Sequence, residues 1–284
     1  AIFIILALGF FGNMVQSNSI GDAFKGAFGI NPLFVGIAVA ILAAFIFLGG
    51  IGRIASVTEK LVPIMAAFYI IGALVLIIMN IGQLPNVFRM IFVGAFNPEA
   101  AIGGFAGVAV SQAIKYGVAR GLFSNEAGMG STPHAHAVAR VKHPCDQGLV
   151  AMMGVFIDTL IILNLTAFAV MITGNLTTYN QDLTGKTGAE LSQYAFSTLY
   201  GKGGDIFVAI CMFFFAFSTI IGWYFFGEKN VKYLFSKHTN LATKIYAALV
   251  VVFIIVGSTL KVNLVWNLSD LFNNLMVIPN VLGL

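Results

Sequence analysis

The sequence predicts an all-α integral membrane protein. Of its 284 residues, 59% are apolar and only 9% carry a charge, whereas soluble domains have about 45–50% apolar and about 25% charged residues. The apolar residues form runs of roughly 20, the length that a helix needs to cross a bilayer. These runs are too long and too continuous for barrel strands, so spanning helices are expected.

Eight predicted membrane segments follow one another along the chain. Their approximate limits are 1–17, 33–50, 61–81, 101–122, 147–173, 204–226, 242–259 and 263–284. Charged residues and turn formers separate them: Asn31-Pro32 precedes the second segment, and Lys60 to Pro63 opens the third. The sequence starts without Met and stops inside an apolar run, so a fragment of a longer protein is expected.

Positive charges in the linkers predict the orientation of the segments. Lysine and arginine are more frequent in the loops around 51–60, 123–146 and 227–241, which are therefore expected on the cytoplasmic side, with 174–203 outside. The net charge of +4 is small and forms no basic stripe, which argues against a nucleic-acid partner. Cys145 and Cys211 have no partner at metal-binding spacing.

The fourth segment is interrupted by glycines and a proline between Arg120 and Pro133. Ser124 and Asn125 are good N-caps, and a second helix is predicted from Thr132 to about Val141. An unwound backbone in lipid is tolerated only where it lines a cavity. Its carbonyls can coordinate a cation, and the N-terminus of the next helix can hold a carboxylate. In the alternative interpretation, segment four ends at Arg120 and the glycines form a cytoplasmic loop.

The run from Gly117 to Ser131, GVARGLFSNEAGMGS, resembles the signature of the alanine or glycine:cation symporters. Other stretches are similar to that family, so the resemblance covers essentially the whole chain. They are Gly12 to Asn18, His143-Pro144, Gln147 to Val150, Gly154 to Thr159, Gly222 to Tyr224, Gly227-Glu228 and Pro279-Asn280.

This resemblance implies a leucine-transporter-type fold of two inverted five-helix repeats, forming a single membrane transport domain. Residues from about 1 to 81 would be the rest of the first repeat, and residues from about 101 to 284 the second repeat. The first two helices of the fold would then lie outside this sequence.

The resemblance also implies a set of site residues. Those implied to bind substrate are Gln16, Phe123, Ser124, Asn125 and Trp223, and those implied to bind Na⁺ are Ser218, Thr219 and Asn125. Thr219 and Trp223 are four residues apart and share a helix face. Simpler alternatives are packing for Phe123, an interhelical hydrogen bond for Gln16, and hydrogen bonds of the two hydroxyls to their own helix.

Two acids within the apolar region are candidates for function, because charge is costly there. Asp158 is expected to pair with Lys115 or Arg120, or to bind a cation. Glu126 either faces the cavity or complements a helix N-terminus. His134 and His136 are two apart and would not share a helix face, so no metal site is predicted. Asn164 and Thr166 are candidates for interhelical hydrogen bonds.

The sequence therefore predicts a monomeric symporter of alanine or glycine in the cell membrane, with Na⁺ as the coupling ion and no cofactor. A proton-coupled permease of the same fold is the alternative, with Glu126 and Asp158 as relay candidates. A channel would need a continuous pore and a filter motif, and neither is found. An enzyme would have only Ser131 near His134, with no orienting acid placed by the sequence.

Overall fold

The computed structural model describes residues 1–96, 106–173 and 188–283, and all regular structure in these ranges is helical. In chain order the helices are α1 (Ile2–Phe28), α2 (Pro32–Phe47), α3 (Gly50–Met79), α4 (Leu84–Phe96), α5 (Ala106–Asn125), α6 (Pro133–His136), α7 (Pro144–Ile172), α8 (Ala189–Tyr200), α9 (Lys202–Leu234), α10 (Thr239–Thr259) and α11 (Val262–Gly283). Two of them contain a π-helical stretch, Ile5–Gly12 within α1 and Ile157–Leu163 within α7.

The prediction of an all-helical membrane protein is confirmed. Five helices in the described ranges are long and apolar enough to cross a membrane: α1, α3, α7, α9 and the helix that contains α10. Helix α2 is apolar but shorter. The count of eight spans and the inverted repeat stay predictions. Residues 101–105 of the predicted fourth segment and residues 174–187 of the predicted external loop 174–203 lie outside the described residues.

Several helix boundaries differ from the apolar runs. Helix α1 continues beyond residue 17 to Phe28, although Asp22 and Lys25 interrupt its apolar character. It stays helical because Ala23 and Ala27 pack against Ala209 of α9. Gly29, in the left-handed conformation at φ 69°, then ends the helix. Helices α4 and α8, of 13 and 12 residues, were not among the predicted segments because they are shorter than the runs of roughly 20 apolar residues that cross a bilayer.

One helical block is built around α1, which packs on α9, α10 and α11. Tyr246 of α10 is buried between α1 and α9, and its hydroxyl donates to the Tyr224 carbonyl at 3.3 Å. Glycines at 9 and 227 make room for that hydroxyl, since a Cβ at either position would collide with it. Tyr224 stacks on Phe47, which adds α2 to the block.

Asn18 joins α1 to the end of α10. Its side chain is 2% exposed and donates to the carbonyls of Gly257 and Leu260 at 3.0 and 2.8 Å. These groups lie at the C-terminal end of α10, where carbonyls run out of helical donors, and the Gly257 carbonyl has only a 3.4 Å bond from the Leu260 N–H. The amide of Asn18 therefore has a structural role as a cap supplied by another helix.

A second block contains α3, α7, α8 and α9, and it holds α7 beside α5. Its buried residues include Tyr69, Leu76, Ala169 and Phe196. The hydroxyls of Tyr69 and Thr166 form a hydrogen bond of 2.5 Å between α3 and α7, which confirms an interhelical role for Thr166. Asn164 instead donates to carbonyls of its own helix.

The interruption of the fourth segment lies later than predicted. Helix α5 continues through Asn125, so the interpretation that it ends at Arg120 is wrong, and Phe123, Ser124 and Asn125 occupy its last turn. The left-handed residues are Glu126 (φ 50°), Gly128 (φ 72°) and Gly130 (φ 74°). The chain unwinds at these positions, because glycine accepts positive φ without a steric penalty.

The second half of the broken helix is also shorter than predicted. Helix α6 comprises only Pro133–His136, so the extension to about Val141 is wrong. A helix of one turn has too small a dipole to hold a carboxylate at its N-terminus. The hydroxyl of Thr132, the preceding residue, donates to the Glu126 carboxylate.

Candidate functional site

A cavity of about 430 Å³ lies where α1, α7 and α9 meet the end of α5. Its lining residues come from four separate parts of the chain. They are Gln16, Phe123, Ser124, Glu126, Asp158, Thr219, Gly222, Trp223 and Phe226. The last turn of α5 and the first left-handed residue after it therefore form one wall, as expected for a helix broken beside a binding site.

Glu126 faces this cavity and organises the unwound stretch. One carboxylate oxygen accepts from the Trp223 indole N–H at 2.6 Å. The other accepts from the hydroxyls of Ser131 at 2.5 Å and Thr132 at 3.2 Å. Of the two roles considered for Glu126, the structure shows the cavity-facing one, and its carboxylate already has three donors.

Trp223 is held on several sides. Its ring edge lies against Gly12 of α1, where an added Cβ would be 2.7 Å from ring atoms. Phe123 meets it edge to face, with ring centroids 5.4 Å apart, and Glu126 binds its N–H. Trp223 is 5% exposed, so this aromatic wall is a fixed boundary of the cavity.

The π-helical stretch of α7 brings two polar side chains to α5. The Ser124 hydroxyl donates to the Asp158 carboxylate at 2.7 Å, and the Thr159 hydroxyl donates to the Asn125 amide oxygen at 3.0 Å. Consecutive residues of α7 thus contact consecutive residues of α5. Sequence reasoning missed Thr159 as part of this cluster, although it lies in a stretch that resembles the symporter family.

The predicted pairing of Asp158 with Lys115 or Arg120 is wrong. Arg120 instead forms a bidentate ion pair with Asp270 of α11, with both N–O distances 2.9 Å. The guanidinium also lies over the Trp266 ring, 4.1 Å from its centroid. Within the described ranges, Asp158 makes no ion pair.

Of the other predicted residues, Gln16 and Thr219 line the cavity and Ser218 does not. The Gln16 amide has no hydrogen bond to any other described residue, so it is free to contact a ligand. Both hydroxyls on α9 donate to the Phe215 carbonyl, Ser218 at 2.9 Å and Thr219 at 3.0 Å. Ser218 also contacts the Met65 sulfur at 3.7 Å, on the side of α3.

A second cavity of about 570 Å³ shares Gln16 and Phe123 with the first. It also contains Asp22, Glu190 and Lys261 in its lining. Phe123 contacts Trp266, another lining residue, with ring centroids 5.3 Å apart. Phe123 and Gln16 therefore line both cavities.

Side chains outside the cavity fix the unwound loop. The Asn280 amide of α11 donates to the Gly128 carbonyl at 3.0 Å, and its oxygen occupies the space that a Cβ on Gly130 would need. Gln147 bonds to the His136 ring at 2.7 Å. No group of three or more potential metal ligands from His, Cys, Asp and Glu occurs in the part of the chain that is described.

The cavity has a marked charge asymmetry. Its lining contains two carboxylates, Glu126 and Asp158, and no lysine, arginine or histidine. Hydrogen-bond donors and acceptors are present on Gln16, Ser124 and Thr219. Such a site favours a cation or the ammonium end of a zwitterion over an anion.

These features define a multi-span membrane protein with a polar, anionic cavity at a broken helix, which is the arrangement of a secondary transporter. The chain belongs to the sodium:alanine symporter family, which it matches over residues 1–284. That family consists of symporters, not enzymes.

Three relatives illustrate the range of the family. The chain is 43% identical to the sodium/alanine symporter AgcS of Methanococcus maripaludis, over 96% of this chain and 58% of AgcS. It is 40% identical to the probable sodium/glutamine symporter GlnT of Bacillus subtilis, over 100% of this chain and 57% of GlnT. It is 39% identical to the putative sodium/proton-dependent alanine carrier protein YrbD of Bacillus subtilis, over 99% of this chain and 59% of YrbD.

Proposed function

We propose that this chain is part of a symporter that carries a small neutral amino acid, alanine or glycine, across the cell membrane together with Na⁺. The observation that carries the proposal is the cavity at the end of α5, with two carboxylates and no basic side chain. Membership of the sodium:alanine symporter family and the similarity to the sodium/alanine symporter AgcS support Na⁺ as the coupling ion and alanine as the substrate. No cofactor is required by this mechanism, because the ion gradient supplies the driving force.

The proposed substrate site lies between Gln16 and the aromatic pair Phe123 and Trp223. The Gln16 amide can donate to a substrate carboxylate and accept from an ammonium. Phe123 and Trp223 form a rigid corner that limits the length of the substrate side chain. Ser124 follows on the same helix and adds a hydroxyl to the polar side of the proposed site, and Asn125 is the next polar residue, beside the cavity lining.

The proposed ion ligands differ in how well they reach this cavity. Asn125 contacts Thr159 beside the cavity, and Thr219 lines it directly. Ser218 points toward Met65, so of the three residues proposed for Na⁺ it has the weakest support. Asp158 adds a carboxylate to the same wall.

Transport by the full-length protein in liposomes tests the proposal. Labelled alanine uptake should require an inward Na⁺ gradient, unlabelled glycine should compete, and the longer glutamine should compete poorly. Gln16→Ala and Trp223→Ala should raise the alanine KM, whereas Gln83→Ala, which removes an exposed amide outside the cavity, should not. Uptake driven by a proton gradient and indifferent to Na⁺ would favour the proton-coupled alternative, which the name of YrbD also raises.

A further inference from the structure

A third cavity, of about 520 Å³, lies between α2, α9 and α10 and shares no lining residue with the substrate cavity. Most of its wall is apolar and includes small residues such as Ala44 and Ala248. Tyr224, Glu228 and Lys244 add a hydroxyl and two opposite charges to this wall. A cavity with an apolar wall and a few charged groups suits an amphiphilic ligand.

The helix faces on either side of this cavity are apolar and exposed. Leu48, which lines the cavity at the end of α2, is 82% exposed. Ile41 on α2 and Ile245 on α10 are 64% and 52% exposed. In a membrane protein such faces lie against lipid tails, so a hydrocarbon chain can enter between α2 and α10 from the bilayer.

The charged residues lie at the depth of lipid headgroups. Glu228 is six residues before the end of α9 and Lys244 five residues after the start of α10. With a rise of about 1.5 Å per residue, both are roughly 7–9 Å from the helix ends. The polar region of a bilayer is about 5–8 Å thick on each side. The loop that joins these two helix ends is the one predicted to be cytoplasmic.

The Tyr224 hydroxyl has no hydrogen-bond partner among the described residues, although only 2% of this side chain is exposed. The ring is fixed by stacking on Phe47 and on Tyr246, with centroid distances of 3.6 and 5.2 Å. A tyrosine hydroxyl at such depth usually has a partner. It is therefore a fixed donor that remains available to a ligand in the cavity.

The two charged groups of the lining are also incompletely paired. Glu228 is 7% exposed, and one of its carboxylate oxygens contacts the Lys232 ammonium at 2.9 Å. Its second oxygen has no partner in the part of the chain that is described. Lys244 makes no ion pair within the described ranges. The cavity thus offers one acceptor for a cation and one donor for an anion.

From this arrangement we propose that the cavity binds a phospholipid with an ethanolamine headgroup. The free oxygen of Glu228 accepts from the lipid ammonium, while Lys244 and the Tyr224 hydroxyl donate to the phosphate. One acyl chain lies along the apolar wall between α2 and α10. A choline headgroup has no N–H to donate, and a glycerol headgroup brings no cation for Glu228. This lipid site is independent of the proposed substrate and ion sites.

Lipid binding to the full-length protein, delipidated in detergent, tests the proposal. Radiolabelled dioleoylphosphatidylethanolamine is the probe, and the unlabelled ethanolamine, choline and glycerol forms of the same lipid compete with it. The ethanolamine form should displace the probe at a concentration about tenfold lower than the others, the effect of one hydrogen bond to a charged group. Glycerophosphoethanolamine, which has the headgroup without acyl chains, should compete poorly.

Variants of the lining separate the contributions. Glu228→Gln and Lys244→Gln should each weaken binding of the probe about tenfold or more, and Glu228→Gln should also remove the preference over the choline lipid. Tyr224→Phe keeps the stacked ring and should have a smaller effect. Ala248→Phe should block the acyl chain. The control is Lys237→Gln, the same change at an exposed lysine outside the cavity, which should bind like the wild type.

Three results would overturn the proposal. One is equal competition by the choline or glycerol lipid in the wild type, and another is an unchanged ethanolamine preference in both Glu228→Gln and Lys244→Gln. Lys244 is exposed, so its variant is informative even if Glu228→Gln fails to fold. The third is competition by glycerophosphoethanolamine as strong as that of the lipid, with no effect of Ala248→Phe, which would identify a site for a soluble headgroup instead.

Discussion

Replacement of Gly12 by Ala should weaken substrate binding through Trp223. The new methyl group would lie 2.7 Å from two ring atoms, whereas ordinary contacts begin at 3.4 Å, so the indole must move by about 0.7 Å. Glu126 and Phe123 hold the ring on its other sides, so this shift strains the 2.6 Å bond between its N–H and Glu126.

The size of this effect follows from the interactions at stake. Overpacking costs about 1–3 kcal/mol, and a hydrogen bond to a charged group is worth about 1.5–3 kcal/mol. Since about 1.4 kcal/mol corresponds to a factor of ten, the alanine KM should rise about 10–100-fold.

Alanine uptake into proteoliposomes at saturating Na⁺ measures this change. Gly154→Ala on α7 is the matched control, because a Cβ there has no neighbour within 4 Å among the described residues. Size-exclusion chromatography establishes that both variants are folded. A KM for Gly12→Ala within about twofold of the wild type, for a folded protein, would refute the view that Gly12 sets the position of Trp223.

Two further predictions concern helix packing. Gly9→Ala should destabilise the protein by about 1–3 kcal/mol, because the methyl group would collide with the buried Tyr246 hydroxyl. The double variant Gly9→Ala with Tyr246→Phe should recover part of the lost thermal stability. If it recovers none, the hydroxyl is not the obstacle. Asn18→Ala should cost about 1–3 kcal/mol, because it removes the amide donor to the Leu260 carbonyl and leaves the Gly257 carbonyl with only the 3.4 Å bond from the Leu260 N–H. Asn18→Asp should do no better, since a carboxylate cannot donate, and a wild-type melting midpoint for either variant would contradict this assignment.

Local features of the structure could be predicted well. Asn31 caps α2 by accepting from the Leu33 N–H at 3.0 Å, with Pro32 in the first turn, and both lie where the sequence predicts the start of a segment. The glycines after Asn125 mark the break in the fourth segment. The residue at which the break starts could not be predicted. Gly121 lies in open space, where a Cβ would have no described neighbour within 4 Å, and the helix continues past it.

The partners of the polar residues were harder to predict. Arg120 pairs with Asp270, 150 residues away, and Glu126 binds Trp223, 97 residues away. Asp158 was expected to pair with Lys115 or Arg120 of α5, yet it accepts from the hydroxyl of Ser124. Such pairings depend on how helices are rotated and shifted against each other, which the spacing of apolar residues does not specify.

The sequence by itself determined that this protein is helical, lies in a membrane and contains a helix broken by glycine, because composition, run length and backbone freedom are local properties. The tertiary structure decided which side chains share the cavity and which are already satisfied. Two features that no periodic sequence pattern reveals made this decision. One is the close approach of Trp223 to Gly12, and the other is the π-helix that turns Asp158 and Thr159 toward α5.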